Sequence, residues 1–169
     1  VAYLMVNSMP QEILLAMGIV AMYPENYSTI CAAKHANTSF LERAEGDGFP
    51  YFTCSYARTW LGYTARMNEV GGVPPEAAWG GMPRPKMLLG RTTCEPGYKG
   101  FASMSRYLDV PVFVYDRKSV RFRAGFAYED PEIAKRYVEN EKGQILAFVA
   151  FLENDHCFIS GIGFGFCRF

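Results

Sequence analysis

Short apolar runs alternate with longer amphipathic stretches along most of the chain. The apolar runs VAYLMV (1–6), IVAMYP (19–24), PKMLLGRTTC (85–94) and VPVFVYD (110–116) have the length and the side chains of buried strands. Proline and glycine stand in or next to several of these runs, where they punctuate secondary structure. The pattern therefore predicts four short strands.

The amphipathic stretches between and after these runs predict helices. Apolar residues recur with helical spacing in PQEILLAMG (10–18), and helix-forming residues continue through 25–48 to a glycine-rich stop. Further helices are predicted to open just after Cys54, over 97–109 and over 129–153. Strands that alternate with helices predict an α/β fold, in which a mostly parallel sheet carries helices on both faces.

Two of these helices carry more detailed signals. Spacings of four, three and four residues place on one helical face the aromatic and apolar side chains Tyr56, Trp60, Tyr63 and Met67. In the last helix, Asp130 is the expected N-cap and Pro131 the expected first helical residue.

The length of 169 residues suits one ordinary domain with a substantial core. We assign residues 1–153 to this α/β domain. The remaining segment, 154–169, has no helical or strand periodicity, so we expect an irregular tail of doubtful origin. Within it, GIGFG (161–165) follows no predicted strand and opens no predicted helix, so we do not interpret it as a dinucleotide-binding loop.

Charge and hydropathy argue against two classes of partner. The chain carries 17 basic and 17 acidic side chains, which gives no electrostatic footprint for nucleic acid. Its apolar runs are far shorter than the roughly 20 residues that cross a bilayer, and no signal-peptide pattern stands at the start. We therefore expect a cytoplasmic protein that binds neither nucleic acid nor membrane.

The five cysteines are candidate functional groups, because their odd number and wide spacing argue against a disulfide framework. Cys31 is interpreted as a small core residue on a helix. Cys94 follows a predicted strand, and Cys54 follows YFT and precedes a predicted helix. Both fall where an open parallel sheet places its ligand site, outside the carboxyl ends of the strands. A helix amino terminus also favours the thiolate, the form that binds metal or acts as a nucleophile.

Three kinds of chemistry use such thiols. Zinc is a poor candidate, because structural zinc usually takes closely spaced cysteine pairs and Cys54 stands far from Cys94. An iron–sulfur cluster accepts ligands from separate loops, but it needs a further ligand from elsewhere. A nucleophilic pair of Cys31 and His35 is the third possibility, although a lone histidine on a helix is more often a surface or packing residue.

Four segments carry a resemblance to a known family. They are YPENYSTICAAKH (23–35), CSYARTWLG (54–62), GRTTCEPGYKG (90–100) and YLDVPVFVYD (107–116). In this order they resemble the amino-terminal α/β portion of the 2-hydroxyacyl-CoA dehydratase and benzoyl-CoA reductase family, over roughly residues 1 to 150. The resemblance implies a Rossmann-like or flavodoxin-like sheet that forms part of a larger two-domain subunit.

The resemblance also implies a cofactor, a [4Fe-4S] cluster held by three cysteines. Cys54 and Cys94 match the first two of these ligands. The third is expected from a carboxyl-terminal domain that we expect this chain to lack. Cys157 or Cys167 would substitute only if the tail folded back.

The implied partners follow from the family's reaction. They are a CoA-thioester substrate, a second homologous subunit in a heterodimer, and a separate ATP-hydrolysing iron–sulfur activator that delivers single electrons. The thioester carbonyl becomes a ketyl radical anion. In the dehydratases this radical expels the 2-hydroxyl group, and in the benzoyl-CoA reductases the aromatic ring is reduced instead. The resemblance leaves both reactions open.

Polar side chains beside the cysteines are candidate catalytic groups. Ser55 and Arg58, with Tyr56, are expected to donate hydrogen bonds to sulfide or to substrate. Arg91 and Thr93 are expected to do the same from the second cysteine loop.

A second set of candidates comes from YPEN. Glu25 and Asn26 follow a predicted strand and so fall at the same sheet edge, where a carboxylate can move protons or orient a hydroxyl. A glutamate at a helix start also commonly serves only as a partner of the helix dipole. Both interpretations of Glu25 stay open.

Two functions of other classes compete with this hypothesis. In one, the chain is a non-catalytic assembly or binding module in which both thiols only pack. In the other, it is a flavodoxin-like electron carrier that binds FMN at the same sheet edge. The electron-carrier hypothesis is the weaker one, because this sequence has no Ser/Thr-rich phosphate loop after its first predicted strand.

Overall fold

The fold is seen in a computed structural model that describes residues 1–6, 10–92, 94–116 and 131–160, with side chains described as far as residue 154. Four parallel strands form one sheet with the spatial order β2-β1-β3-β4. The strands are β1 (Ala2–Leu4), β2 (Ala21–Met22), β3 (Met87–Arg91) and β4 (Val112–Tyr115). In the register, Leu89 of β3 stands opposite Leu4 on one side and Phe113 on the other.

Six α-helices surround this sheet in the described ranges. They are α1 (Gln11–Ala16), α2 (Pro24–Ala33), α3 (Thr38–Gly46), α4 (Ser55–Val70), α5 (Phe101–Leu108) and α6 (Pro131–Ser160). A 3₁₀ turn, Ala78–Gly80, lies between α4 and β3, and a π-helical turn, Pro96–Gly100, leads directly into α5.

The two faces of the sheet bury separate cores, because successive strand residues point to opposite sides. Tyr3 and Leu88 join one core with residues of α2, α3, α4 and α5. Leu4 and Leu89 join the other with residues of α1 and α6. Helices therefore cover both faces of an all-parallel sheet, and the predicted α/β class is confirmed.

The segment predicted as one helix over 25–48 is two helices, and that detail of the prediction was wrong. The amide of Ala36 donates to the Cys31 carbonyl at 2.8 Å, and the amide of His35 donates to the Ala32 carbonyl at 3.1 Å. These two bonds form a Schellman motif, which ends α2 with His35 in the left-handed region at φ 52°. The helix stops there although no glycine marks the end.

The last helix begins as predicted and continues past its predicted end. Pro131 is the first residue of α6, and the helix runs to Ser160 rather than stopping at 153. Asp130 and residues 161–169 lie outside the described residues, so the predicted N-cap and the rest of the predicted tail stay predictions. The helix packs on β4, where the ring of Phe113 lies 5.5 Å from that of Phe148.

The face predicted on α4 packs in the first core. Trp60, Tyr63 and Met67 are buried there, while Tyr56 at the start of the helix is 40% exposed. This difference places the beginning of α4 at the surface and its middle in the core.

Buried tyrosines hold the proline- and glycine-rich segment 71–85 against the core. The hydroxyl of Tyr63 donates to the Met82 carbonyl at 2.8 Å and accepts from the Met82 amide at 2.6 Å. Tyr27 and Tyr3 donate to the carbonyls of Ala78 and Pro83. Burial also raises the pKa of the Tyr63 hydroxyl to about 12, so it stays protonated and keeps both roles.

We expect the substitution Tyr63→Phe to destabilise the protein by about 2 kcal/mol, because it leaves the buried amide and carbonyl of Met82 without their partner. Urea unfolding followed by circular dichroism measures this change. Tyr107→Phe is the matched control, because its hydroxyl bonds the exposed Asp47 side chain. An equal loss in both variants would contradict the anchoring role of Tyr63.

A helix that spans a bilayer must be both long and apolar. Among the helices in the described ranges, none combines sufficient length with sufficient apolar character to span a membrane.

Candidate functional site

Cys54 is the residue immediately before α4. Its carbonyl accepts the first intrahelical hydrogen bond from the Arg58 amide at 3.0 Å, which makes Cys54 the N-cap of the helix. A turn precedes it, in which the Thr53 amide donates to the Pro50 carbonyl at 2.9 Å. Cys54 thus follows a turn rather than a strand, and its thiol is exposed at the helix start.

Cys94 occupies a comparable place after β3. The strand ends at Arg91, and the Gly97 amide donates to the Cys94 carbonyl at 3.0 Å as the π-helical turn begins. Its thiol is also exposed. A Cβ atom at Gly97 would lie 3.2 Å from the Cys94 sulfur and 2.9 Å from the Arg91 carbonyl oxygen. The turn therefore packs closely against the strand end and the second thiol.

One pocket of about 530 Å³ lies between these two helix starts. Cys54 lines it just before α4, and Glu95 and Pro96, which directly follow Cys94, line it from the other side. Its apolar walls come mainly from Phe49, Phe52, Ala57 and Leu61. The structure thus brings the Cys54 thiol and the Cys94 turn to a common, largely apolar cleft.

A pair of opposite charges stands at the border of this pocket. The Lys99 ammonium donates to the Glu95 carboxylate at 2.5 Å across one helical turn, and Ser103 follows one turn later. The hydrogen bond to Lys99 lowers the pKa of the Glu95 carboxyl, and the same bond raises the pKa of Lys99. Both groups are therefore charged at neutral pH.

The predicted residues of YPEN lie in the first turn of α2. Glu25 is half-buried and Asn26 is exposed. Ser28, one turn later, lies with its hydroxyl 3.2 Å from the Tyr56 carbonyl and 2.9 Å from the Pro24 carbonyl. This hydroxyl connects the starts of α2 and α4, so Glu25 stands on a helix that is joined to the Cys54 helix.

The remaining predicted side chains differ in their surroundings. Ser55 is exposed at the first position of α4. Arg58 is buried, and its guanidinium forms an ion pair with Glu45 of α3 and donates from Nε to the Thr53 carbonyl at 3.3 Å. Thr93 lies outside the described residues. The structure thus gives Arg58 protein partners, whereas Ser55 faces solvent.

The pair of Cys31 and His35 is poorly suited to nucleophilic catalysis. Cys31 is fully buried in the first core, whereas His35 is exposed beyond the end of α2. Burial raises the pKa of the Cys31 thiol, which disfavours the thiolate that a nucleophile needs. Cys31 is a core residue, as the sequence suggested.

The two exposed cysteines fit part of a metal centre. Two exposed thiols at helix amino termini are suitable soft ligands for iron. Within the described ranges, no three cysteine, histidine or carboxylate side chains come together as a ready-made ion site. A cluster at Cys54 and Cys94 would therefore need a further ligand from outside this set.

A family profile described as 2-hydroxyglutaryl-CoA dehydratase, D-component, matches residues 7–155. This chain belongs to that family. The match runs through both cysteine segments and so confirms the family that the four segments indicated.

Three curated relatives of this D-component family member are dehydratase subunits by name. Lactoyl-CoA dehydratase subunit alpha of Anaerotignum propionicum is 29% identical over 139 residues, which cover 78% of this chain and 32% of the relative. The (R)-2-hydroxyisocaproyl-CoA dehydratase alpha subunit of Clostridioides difficile is 35% identical over 63% of this chain and 24% of its own length. The (R)-phenyllactyl-CoA dehydratase alpha subunit of Clostridium sporogenes is 28% identical over 65% and 25%. The chain thus spans about a quarter to a third of these relatives.

Sequence reasoning about this family member missed the pocket's charged pair. Glu95 and Lys99 stand four residues apart within GRTTCEPGYKG, a spacing that favours an ion pair on a helix. That spacing was available as a signal. The predicted helix began only at Gly97, so Glu95 fell outside it and the spacing was not interpreted as a helical pair.

We expect Gly97→Ala to displace the Cys94 turn of this dehydratase-family chain, because the new methyl group would crowd the Arg91 carbonyl and the Cys94 sulfur. Alkylation of Cys94 with iodoacetamide, followed by mass spectrometry, should change in rate while alkylation of Cys54 does not. Gly72→Ala serves as the control, because a Cβ there meets no atom within 4 Å. Unchanged Cys94 reactivity in Gly97→Ala would show that the turn tolerates the methyl group.

Proposed function

We propose that this chain is the iron–sulfur part of a subunit of an ATP-coupled, radical-type 2-hydroxyacyl-CoA dehydratase. The observation that carries the proposal is the pair of exposed thiols at two helix starts in a chain of this family. Cys54 lines the pocket, and Cys94 immediately precedes Glu95 and Pro96, which line it as well. In the assembled enzyme, a second homologous subunit and an ATP-hydrolysing iron–sulfur activator complete the system. We place this enzyme in the cytoplasm.

The proposed cofactor is a [4Fe-4S] cluster with Cys54 and Cys94 as two of its ligands. When bound, such a cluster supplies single electrons at low potential. The further ligand comes from residues outside the described set. Both cysteines sit on backbone that is itself hydrogen-bonded, through the α4 N-cap at Cys54 and the Gly97 amide at Cys94. The chain therefore presents its two thiols from fixed positions.

The pocket beside Cys54 suits the acyl part of a CoA thioester. Phe49, Phe52 and Leu61 give it apolar walls, which exclude water from a reacting carbonyl. Lys99 and Ser103 can orient polar atoms of the substrate at the border of the pocket. Glu25, on the helix joined to α4 through Ser28, is the proposed proton-transfer group, with Asn26 and Ser55 as hydrogen-bonding groups.

Dehydration is favoured over reduction of an aromatic ring. The three relatives are named for lactoyl-CoA, 2-hydroxyisocaproyl-CoA and phenyllactyl-CoA, all of them 2-hydroxyacyl thioesters. We propose the same substrate class here. Benzoyl-CoA reduction remains the other reaction that the sequence resemblance implied.

The proposal is tested by anaerobic reconstitution of the assembled enzyme with iron and sulfide, read by visible absorption and EPR. We expect a cluster in this subunit and electron-dependent loss of water from a 2-hydroxyacyl-CoA. A colourless, iron-free enzyme that assembles normally would instead identify the chain as a non-catalytic assembly module.

A further inference from the structure

Arg58 is buried although it stands one turn into a helix whose first residues are exposed. Only 9% of the residue is exposed, whereas Cys54, Ser55 and Tyr56 before it face solvent. A guanidinium keeps its charge when buried, so burial is tolerated only with good partners. The contacts of its guanidinium must therefore be what holds the Arg58 side chain in its buried position.

These contacts join two elements at the cysteine loop. Nη1 forms an ion pair with the Glu45 carboxylate near the end of α3, and Nε donates to the Thr53 carbonyl at 3.3 Å. The Thr53 carbonyl belongs to the peptide bond that joins Thr53 to Cys54. The guanidinium thus connects α3 with the peptide plane immediately before the thiol-bearing residue.

The direction of the Cys54 side chain depends on this peptide plane. The plane sets φ of Cys54, which is −48°, and the same residue caps α4 through its carbonyl. The other bonds to Thr53 are its amide and hydroxyl contacts to the Pro50 carbonyl, at 2.9 and 2.7 Å, in an exposed turn. Arg58 supplies a part-buried contact of 3.3 Å from a charged donor, which links the Thr53 carbonyl to α3 through Glu45.

We infer that Arg58 is a positioning residue that orients the Cys54 thiol through the Thr53 carbonyl, with Glu45 holding the guanidinium in place. The inference rests on the proposed function, in which Cys54 is an iron ligand, and it reassigns Arg58 from a group that touches substrate to one that acts through Cys54. Partners that orient metal ligands commonly contribute roughly 10- to 100-fold to metal affinity.

The test compares Arg58→Lys with Arg66→Lys, a matched control on the same helix. Arg66 also pairs with carboxylates, those of Glu69 and Glu76, but it lies on the exposed face. In the metal-free chain, the alkylation rate of Cys54 is divided by that of Cys94, which serves as an internal reference. In the assembled enzyme, cluster release to an iron chelator and the EPR spectrum of the reduced cluster are recorded.

We expect Arg58→Lys to change the ratio of the two alkylation rates, to alter the EPR spectrum, and to speed cluster release by about 10- to 100-fold. Arg66→Lys should leave all three close to the parent values. Glu45→Gln, which keeps the guanidinium but replaces its charged partner with a neutral amide, should shift them in the same direction by less. This second variant decides the question if Arg58→Lys fails to fold.

Two outcomes would overturn the inference. One is that neither alkylation rate changes in Arg58→Lys or in Glu45→Gln. The other is an equal change at Cys54 and Cys94, which would show a general loss of structure rather than positioning of one thiol. If the parent enzyme binds no cluster, the proposed function fails, while the alkylation ratio still decides whether Arg58 positions Cys54.

Discussion

Gly62→Ala should destabilise this protein by roughly 4 kcal/mol or more, beyond the usual cost of overpacking. A Cβ atom at Gly62 would lie 1.8 Å from the carbonyl oxygen of Phe40 and 2.6 Å from its carbonyl carbon. Both are backbone atoms, so no side-chain rotation can relieve the overlap. The two helices α3 and α4 would have to separate.

The expected loss is large because this contact joins the helices that carry the first core. Phe40 is fully buried, and its ring lies 5.3 Å from the ring of Tyr63. Separation of α3 from α4 would open this aromatic cluster and remove the Glu45 contact of Arg58. We therefore expect the midpoint of urea unfolding to fall to a much lower urea concentration. We also expect Cys54 to lose its fixed position.

Gly143→Ala provides the control for this substitution. Gly143 also lies in a helix interior, but a Cβ there meets no atom within 4 Å. Alanine at such a site should stabilise by roughly 0.5–1 kcal/mol, because glycine has the poorer helix propensity. If Gly62→Ala unfolded at the same urea concentration as the parent, the result would contradict the close contact between α3 and α4 at Gly62.

The sequence predicted the sheet well because its signals are local. The runs around β1, β3 and β4 are apolar and of strand length, and the helices between them carry clear periodicity. The end of α2 escaped prediction for a physical reason. His35 occupies the left-handed position that glycine usually marks, so the residue type gave no signal that a Schellman motif ends the helix there.

The two cysteine segments could be located from the sequence, but the contacts that support them could not. Cys54 and Cys94 stand in recognisable segments beside predicted helix starts. The contact of Arg58 with Glu45 depends on how α3 packs against α4, and no spacing along the chain reports it. The π-helical turn was equally hard to predict from the sequence. There the Gly97 carbonyl oxygen approaches β3 so closely that a Cβ atom at Gly90 would lie 2.7 Å from it.

The largest effect on function is expected from the double substitution Cys54→Ser, Cys94→Ser. A serine hydroxyl is close in size to the thiol but does not supply the thiolate that an iron–sulfur cluster requires. Both residues are exposed, so we expect the free energy of unfolding to change little, within about 0.5 kcal/mol. Iron and sulfide content, visible absorption and EPR of the assembled enzyme should fall to background in this subunit, and dehydration should stop.

The single variants and a pocket control make this result specific. Each single substitution should remove most of the cluster, since in the proposed function each thiol is a ligand from a different helix start. Ser103→Ala changes the border of the same pocket without touching a thiol, and it should retain full iron content. If the double variant kept its iron and its EPR signal, Cys54 and Cys94 would be surface thiols, and the chain would act in assembly rather than in electron transfer.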